Sequence, residues 1–325
     1  MDDTSQFRLQ LEMSHVGLGN LDEEAVMVVF GSCHSRYLTA GLERDATRIV
    51  DTKGKLLYPA YFMTYLRVPA ELPLASLALW DFVEIEVSVR RFGDTILDSS
   101  YALRRGDVRG SLAITMQANS LFIWDPSHYK TASRQVSAPK AGAVRELAAM
   151  SAPPTAIQES ARVRSSGFDA GSGEWIAAEP FEYRLEANRD TSPGHPLIFG
   201  RFPLLMELSE RAFLRELARG RLGEEVFQDM AILERKVFYY GNAFAGAELT
   251  LHTKGIIRPC RESLWSTNPR LQYLFRVRLD TEIYSRGELL AVSRAEKVLV
   301  HEIRNQSRIQ DSMRLFGRLT QTLGD

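Results

Sequence analysis

The segment Leu57-Tyr58-Pro59-Ala60-Tyr61-Phe62-Met63-Thr64-Tyr65-Leu66 is the most distinctive concentration of hydroxyl-bearing aromatics in this chain. Read as a strand, it sets Tyr61, Met63 and Tyr65 on one face and Tyr58, Phe62 and Thr64 on the other. Aromatic residues also pack well in strands, so core packing is the competing reading. A tyrosine hydroxyl with its ordinary pKa of about 10 is uncharged at neutral pH. It donates a hydrogen bond to a carboxylate or thioester oxygen unaided, but needs activation to attack as a nucleophile.

Other polar groups are weaker candidates. Cys33 and His34 are adjacent, which on a helix turns them about 100° apart and prevents a dyad. Cys33 falls on an apolar stripe, where a small core thiol is the simpler role. His15, Gly17, Gly19 and Asn20 precede the first helical run. Free backbone N–H groups there would suit an oxyanion, and a plain turn and cap is the alternative. His195, within Pro193-Gly194-His195-Pro196, holds the matching place before the second helical run, either as a pocket group or as a loop histidine. Asn119 and Asn242 are further candidate polar contacts. Walker, G-x-G-x-x-G, H-E-x-x-H and G-x-S-x-G patterns are absent from the sequence. The histidines are scattered and the two cysteines, Cys33 and Cys260, stand alone, so no metal ligand spacing is present. Neither a metal nor an organic cofactor is expected.

These groups must be held by regular elements. Residues Leu21 to Leu42 read as a mostly apolar helix, with Asn20 and Glu23 as a capping box and Gly41 as a stop. Strict alternation marks strands at Phe82 to Arg91, Leu97 to Arg104 and Leu112 to Ile123, with turns at Gly93-Asp94 and Gly106-Asp107. A helix at Phe202 to Arg219 follows. Then come strand-like runs at Arg235 to Tyr240, Ala247 to Ile257, Tyr273 to Tyr284 and Leu289 to Val300, the last two joined by Ser285-Arg286-Gly287. Pro139 to Met150 reads as a short helix closed by Pro153-Pro154, and Ser165 to Gly173 as a loop. The order of elements repeats after roughly 180 residues, a spacing compatible with the soft prior of two domains. The boundary falls between residues 150 and 195, giving an N-terminal unit 1–165 that includes the linker helix and a C-terminal unit 166–325.

A helix followed by an antiparallel sheet that wraps it is the hot-dog arrangement, and two such units close each other's exposed sheet edges. The expected fold is therefore α+β, a double hot-dog. Composition agrees: 325 residues, 45% of them hydrophobic, build a sizeable core. A formal net charge of -1 gives no footprint for nucleic acid or an anionic membrane surface. Arg90-Arg91 and Arg104-Arg105 are read as a solvated rim, with a phosphate contact as the other option. Two distant cysteines, an acidic polar start and no long apolar run lead to the expectation of a cytoplasmic protein.

Three stretches carry a resemblance: Met13-Ser14-His15-Val16-Gly17-Leu18-Gly19-Asn20-Leu21-Asp22-Glu23-Glu24, Arg189-Asp190-Thr191-Ser192-Pro193-Gly194-His195-Pro196-Leu197-Ile198-Phe199-Gly200-Arg201-Phe202-Pro203, and Glu234-Arg235-Lys236-Val237-Phe238-Tyr239-Tyr240-Gly241-Asn242. In order and spacing they resemble the leinamycin-pathway family of bifunctional acyltransferase/decarboxylases of polyketide biosynthesis. The family has an Asp-x-Asn-Gly-type sequence where this chain has Asp190-Thr191-Ser192-Pro193-Gly194. The resemblance implies transfer of a methylmalonyl group from CoA to the phosphopantetheine arm of an acyl carrier protein, with decarboxylation to the propionyl thioester. It also implies a homodimer, and an active-site tyrosine that matches Tyr61, with Tyr65 as the next candidate. On this reading, backbone N–H groups at the first helix hold the thioester oxygen, and Tyr61 either accepts the acyl group or orients the substrate. The same fold allows a thioesterase using Glu23 or Glu24, a dehydratase using His34 with a remote carboxylate, or a non-catalytic acyl-CoA- or carrier-binding protein.

Overall fold

The computed structural model describes residues 4–12, 21–40, 42, 49–106, 112–124, 135–169, 171, 174–191, 197–217, 230–259, 271–302 and 310. In chain order the elements are β1 (Thr4–Gln10), α1 (Glu23–Thr39), β2 (Leu57–Arg67), β3 (Phe82–Phe92), β4 (Ile96–Arg105), β5 (Ile114–Trp124), β6 (Gln135–Val136), β7 (Ala148–Ala149), α2 (Ala156–Ser166), β8 (Ile176–Ala177), β9 (Phe181–Arg184), α3 (Arg201–Leu217), β10 (Met230–Tyr239), β11 (Glu248–Pro259), β12 (Leu271–Ser285) and β13 (Glu288–Glu302). The described strands form one sheet in the order β1-β3-β4-β5-β2-β10-β13-β12-β11-β8. That order reads alike outward from the central β2–β10 pair: β5, β4, β3 on one side and β13, β12, β11 on the other. The duplication expected from the order of elements is thus a two-fold-like pairing of sheets.

Alternation predicts the buried face well. Val83, Ile85, Val87 and Val89 of β3 are each at most 2% exposed and form part of one core with Val26, Phe30 and Tyr37 of α1. The β12–β13 turn is built from Arg286 and Gly287 with φ of 50° and 76°, the left-handed pair that a two-residue hairpin requires. Both expected arginine pairs end in surface ion pairs: Arg90 with Asp98, Arg91 with Asp94, Arg104 with Glu86 and Arg105 with Asp81.

Three local expectations are corrected. The helix α1 begins at Glu23 and is capped by Asp22, whose side chain accepts from the Ala25 N–H at 2.8 Å; it ends at Thr39. Asn20, the expected cap, lies outside the described residues. Pro139 to Met150 is not helical. Its backbone is bonded elsewhere, Lys140 N–H to Val50 O, Arg145 N–H to Leu38 O and Met150 N–H to Arg91 O, and residues Ala148–Ala149 form strand β7 beside β3. The helix of this region is α2, which packs Ala156 and Val163 on the outer face of the sheet against Phe62, Met63, Phe238 and Tyr240. The third concerns β2. Tyr61 pairs with Ser120 but Met63 pairs with Asn119, so Phe62 is an extra residue in the strand. This bulge reverses the alternation: Tyr61 points to the helix-covered face while Met63 and Tyr65 point outward.

Beneath α3 lies a dry charge cluster. The side chain of Arg235 on β10 is 1% exposed. It donates from Nε to Glu23 of α1 at 2.5 Å, through Nη1 and Nη2 to both oxygens of Glu210 at 2.6 and 3.0 Å, and from Nη1 to Ser293 Oγ at 3.2 Å. Lys297 Nζ reaches Glu210 at 2.8 Å. Burial pushes both carboxyls upward, but Arg235 and Lys297 overcome this at Glu210 and hold it below the usual range. At Glu23 burial prevails and the pKa is raised. The planar fork of arginine is what lets one side chain satisfy both helices. Arg235→Met leaves Glu210 and Glu23 short of their shared cation, so it is expected to lower unfolding stability by about 3–5 kcal/mol. Equilibrium urea unfolding checks this, and a loss near zero would show that the cluster does not hold the two helices.

Candidate active site

The bulge at Phe62 places Tyr61 among side chains that the sequence alone keeps far apart. From β4 come Ser99 and Tyr101, from β5 Ser120, and from α1 Cys33 and His34, all on the helix-covered face. His34 is 1% exposed, Tyr61 8%, Tyr101 2% and Ser120 0%. The Tyr101 hydroxyl lies 2.8 Å from His34 Nδ1, with Ser99 Oγ at 3.3 Å. The rings of His34 and Tyr61 have centroids 5.7 Å apart, and Phe199, arriving from before α3, stacks on Tyr61 at 4.9 Å.

Three buried polar atoms in this cluster have no hydrogen-bond partner: Tyr61 Oη, His34 Nε2 and Ser120 Oγ. Tyr101 is near enough to Tyr61 to oppose, as a hydrogen-bonding neighbour, the upward push of burial on its pKa, but the hydrogen bond with formed geometry runs between Tyr101 and His34 at 2.8 Å. Unpaired buried polar groups are scarce in folded proteins, and a group of them calls for a reason. Burial lowers the His34 pKa to about 4 and pushes Tyr61 up to about 12 and Cys33 to about 11; it also raises Tyr101 well above the ordinary value. At neutral pH the cluster is therefore uncharged. The direction of the Tyr101–His34 hydrogen bond goes with the imidazole tautomer: when the hydroxyl donates to Nδ1, the ring proton sits on Nε2. Tyr61 and His34 then present two free donors in an apolar setting, the equipment that stabilises an oxygen gaining negative charge. A tyrosine with its pKa raised this far is a donor and a poor nucleophile.

The remaining sequence candidates are placed elsewhere. Tyr65 is on the outer face, donates to Glu234 Oε2 at 2.6 Å and carries the Arg67 guanidinium 4.5 Å from its ring. Asn119, also facing outward, donates to Asp98 Oδ1 at 2.9 Å. Asn242 accepts from the Ala243 N–H and donates to Leu197 O at 3.4 Å, which ties down the segment bearing Phe199. His15, Gly17, Gly19, Asn20 and His195 lie outside the described residues. Glu23 is committed to Arg235, and Glu24 to Arg201 at 2.9 Å. Among the described residues no carboxylate hydrogen-bonds His34, so the histidine–carboxylate pair of a dehydratase is not formed there.

Two features escaped the sequence reading. His34, first weighed as a loose dehydratase candidate, stands beside Tyr61. Asp190, 0% exposed, accepts through Oδ2 from the Tyr183 hydroxyl at 3.0 Å and from the Glu186 N–H at 2.9 Å, while its buried Oδ1 has no hydrogen bond. The sequence signal for Asp190 is its place at the head of the Asp190-Thr191-Ser192-Pro193-Gly194 stretch, where the resembling family has its Asp-x-Asn-Gly-type sequence. Among the described residues of the second unit no such group of unpaired neutral atoms occurs: under α3 the helix-covered face of β10 carries Arg235, with Ser293 of β13 beside it, and its hydrogen bonds are made.

No family model matches the chain, and no curated protein matches it in sequence. Solved structures do. A Lactobacillus plantarum protein assigned as an oleoyl thioesterase superimposes with a TM-score of 0.60 at 11% identity, over 92% of this chain and 96% of that one. The 12:0-ACP thioesterase of Umbellularia californica gives 0.56 at 12% identity over 90% and 95%. An acyl-ACP thioesterase from Bacteroides thetaiotaomicron gives 0.50 at 13% identity over 92% and 98%. At such identities the likeness establishes the fold, and the fold is an α+β double hot-dog. No described helix is long and apolar enough to cross a membrane.

Tyr61→Phe removes a buried hydroxyl that has no partner, so it is expected to leave stability unchanged or raise it by up to about 1 kcal/mol. Denaturant unfolding of the variant tests this, and a clear loss would mean that the hydroxyl is bonded in the folded chain. His34 gives a pH signature. Its pKa is about 4 when folded and 6.5 when unfolded, so the unfolded chain binds the proton more readily. Its contribution to stability is complete above pH 6.5 and declines by about 3 kcal/mol as the pH falls toward 4. Unfolding curves at stepped pH should therefore converge for wild type and His34→Gln as the medium is acidified; parallel curves would refute the shifted pKa.

Proposed function

We propose that this chain is an enzyme acting on acyl thioesters of CoA or of a phosphopantetheinylated acyl carrier protein, and that Tyr61 and His34 hold the thioester oxygen. The single observation that carries the proposal is the pair of unpaired polar atoms, Tyr61 Oη and His34 Nε2, buried together beside α1. The names of the three similar structures, thioesterases all, support the thioester as substrate class.

Within that class the site favours decarboxylation of a malonyl-type thioester. Loss of the carboxylate as carbon dioxide leaves the bonding pair on the α-carbon and the carbonyl oxygen as an enolate. That step needs donors on the oxygen and no base. The neutral cluster offers donors, and His34, with a pKa near 4, is a weak base. Protonation of the α-carbon by Tyr61 or water completes the product. The acyl-transfer half of the reaction is attack by the phosphopantetheine thiol on the same carbonyl with departure of CoA. Together with the motif resemblance, this supports conversion of a methylmalonyl group on CoA to a propionyl group on a carrier protein.

Hydrolysis is the second reading. Asp190, whose buried Oδ1 has no hydrogen bond and lies 3.9 Å from Arg189 Nε, is a candidate to activate water, and the names of the similar structures support hydrolysis more directly than decarboxylation. Mass spectrometry of the chain with methylmalonyl-CoA, with and without holo carrier protein, separates the two. The expected outcome is propionyl thioester, reduced at least a hundredfold by Tyr61→Phe, in the range typical for loss of one oxyanion donor. Free CoA with intact methylmalonate, lost in Asp190→Asn, establishes hydrolysis instead. Unchanged acyl-CoA under all conditions refutes the enzyme reading.

A further inference from the structure

Phe199 belongs to the second unit yet covers the key side chain of the first. Its ring stacks on Tyr61 with centroids 4.9 Å apart and planes inclined by 38°, and it is partly exposed where Tyr61 is buried. Its backbone is fixed on both sides. Leu197 N–H bonds Ala243 O at 2.8 Å and Ile198 N–H bonds Asp190 O at 3.0 Å, while Arg201 ties the start of α3 to Glu24 of α1. The ring is fixed by a glycine. A Cβ on Gly31, in the middle of α1, would stand 2.9 Å from Cε1 and Cζ of Phe199, closer than side-chain atoms tolerate. Glycine within a helix is otherwise unfavourable by roughly 1 kcal/mol. Its presence here admits the phenyl ring between α1 and Tyr61.

We infer that Phe199 sets the length of acyl group the site accepts. This rests on the thioester reading above. A carbonyl whose oxygen accepts from Tyr61 Oη carries its acyl chain alongside the Tyr61 ring, where Phe199 already fills the space. Each methylene added along that path runs further against Phe199, so the ring favours short chains of the propionyl or malonyl class over longer ones. The limit comes from the second unit, so the two units form one site between them: the first supplies the donors and the second the wall. Phe199 is a specificity-determining residue and takes no part in proton transfer.

The test is calorimetric binding of non-cleavable ketone analogues of propionyl-CoA and hexanoyl-CoA to the full chain. Wild type is expected to prefer the short analogue. Phe199→Ala is expected to shift the ratio of the two dissociation constants by about tenfold or more toward the long one, the scale on which a pocket discriminates methylene groups. Phe199→Leu, which disturbs packing far less, is expected to shift it in the same direction and decides the matter if the alanine variant does not fold. A residue with only a structural role weakens both analogues alike and leaves the ratio unmoved, and that result in either folded variant overturns the inference. Wild type that binds neither analogue overturns the thioester reading itself.

Discussion

The antiparallel pairing of β2 with β10 is the contact on which the rest of the molecule depends. It joins two sheets whose edges would otherwise stand open to other chains, and it brings the helices α1 and α3 into contact at the seam. Arg235 sits on β10 at that seam, opposite Leu66 of β2, and binds a carboxylate from each helix. A buried arginine is costly to desolvate, and only full pairing offsets that cost. The pairing has directional demands, two parallel bonds to Glu210 and one to Glu23, so it fixes register and helix position in a way that apolar contact alone does not. A one-residue slip of β10 would turn Arg235 to the outer face and strand both carboxylates.

The same strand pair shows how a single inserted residue changes the chemistry of a face. Without the bulge at Phe62, either Tyr61 or Thr64 would face outward. With it, both point beneath the helices, where Thr64 bonds Tyr239 and Tyr61 meets His34. The outer-facing residues Phe62 and Met63 become the floor on which α2 packs. Stability and chemistry pull in opposite directions here. Each unpaired buried polar atom costs about 1–3 kcal/mol, yet Tyr61, His34 and Ser120 all retain one. Under α3 in the second unit, the helix-covered face of β10 carries instead a fully bonded arginine. One unit holds its sheet partner in place, and the other keeps donors available.

A fold of this kind hosts more than one reaction, so the double hot-dog similarity by itself does not choose among them. The buried cluster beside α1 has a defined charge state. Tyr61, Tyr101 and Cys33 are neutral at physiological pH even at their ordinary pKa values, and burial moves all three further from ionisation and holds His34 neutral as well. On the reading proposed above, a neutral cluster of this kind serves an oxygen that becomes charged during reaction, without attracting the ground-state carboxylate. Phe199 comes from the other unit, so the joining of units that closes the sheet also brings its ring onto Tyr61.

Much of the architecture was legible in the residues. Alternation located β3, β4, β5 and the long strands of the second unit, because a strand with one buried face repeats every two residues. The acidic first turn and apolar body located α1, the hairpin signal Ser285-Arg286-Gly287 located the last turn, and Tyr61 was picked out as the residue to watch. The errors share one cause. Pro139 to Met150 carries a proline start and an alanine-rich body, but its backbone groups bond to distant Val50, Leu38 and Arg91, and long-range partners override a weak local preference. The bulge leaves no mark in composition, since it exists only against the register of β5, and so the face shared by Tyr61, Met63 and Tyr65 was misjudged. His34 looked remote from Tyr61 because the two are separated along the chain and meet only when α1 lies across β2 and β4. By itself the sequence determined which segments are strands and helices and which faces are apolar, because those follow from local period. Tertiary structure alone decided register, the bulge, the pairing of Arg235 and the meeting of His34, Tyr61 and Phe199, because each depends on residues far apart in sequence being held within a few ångströms.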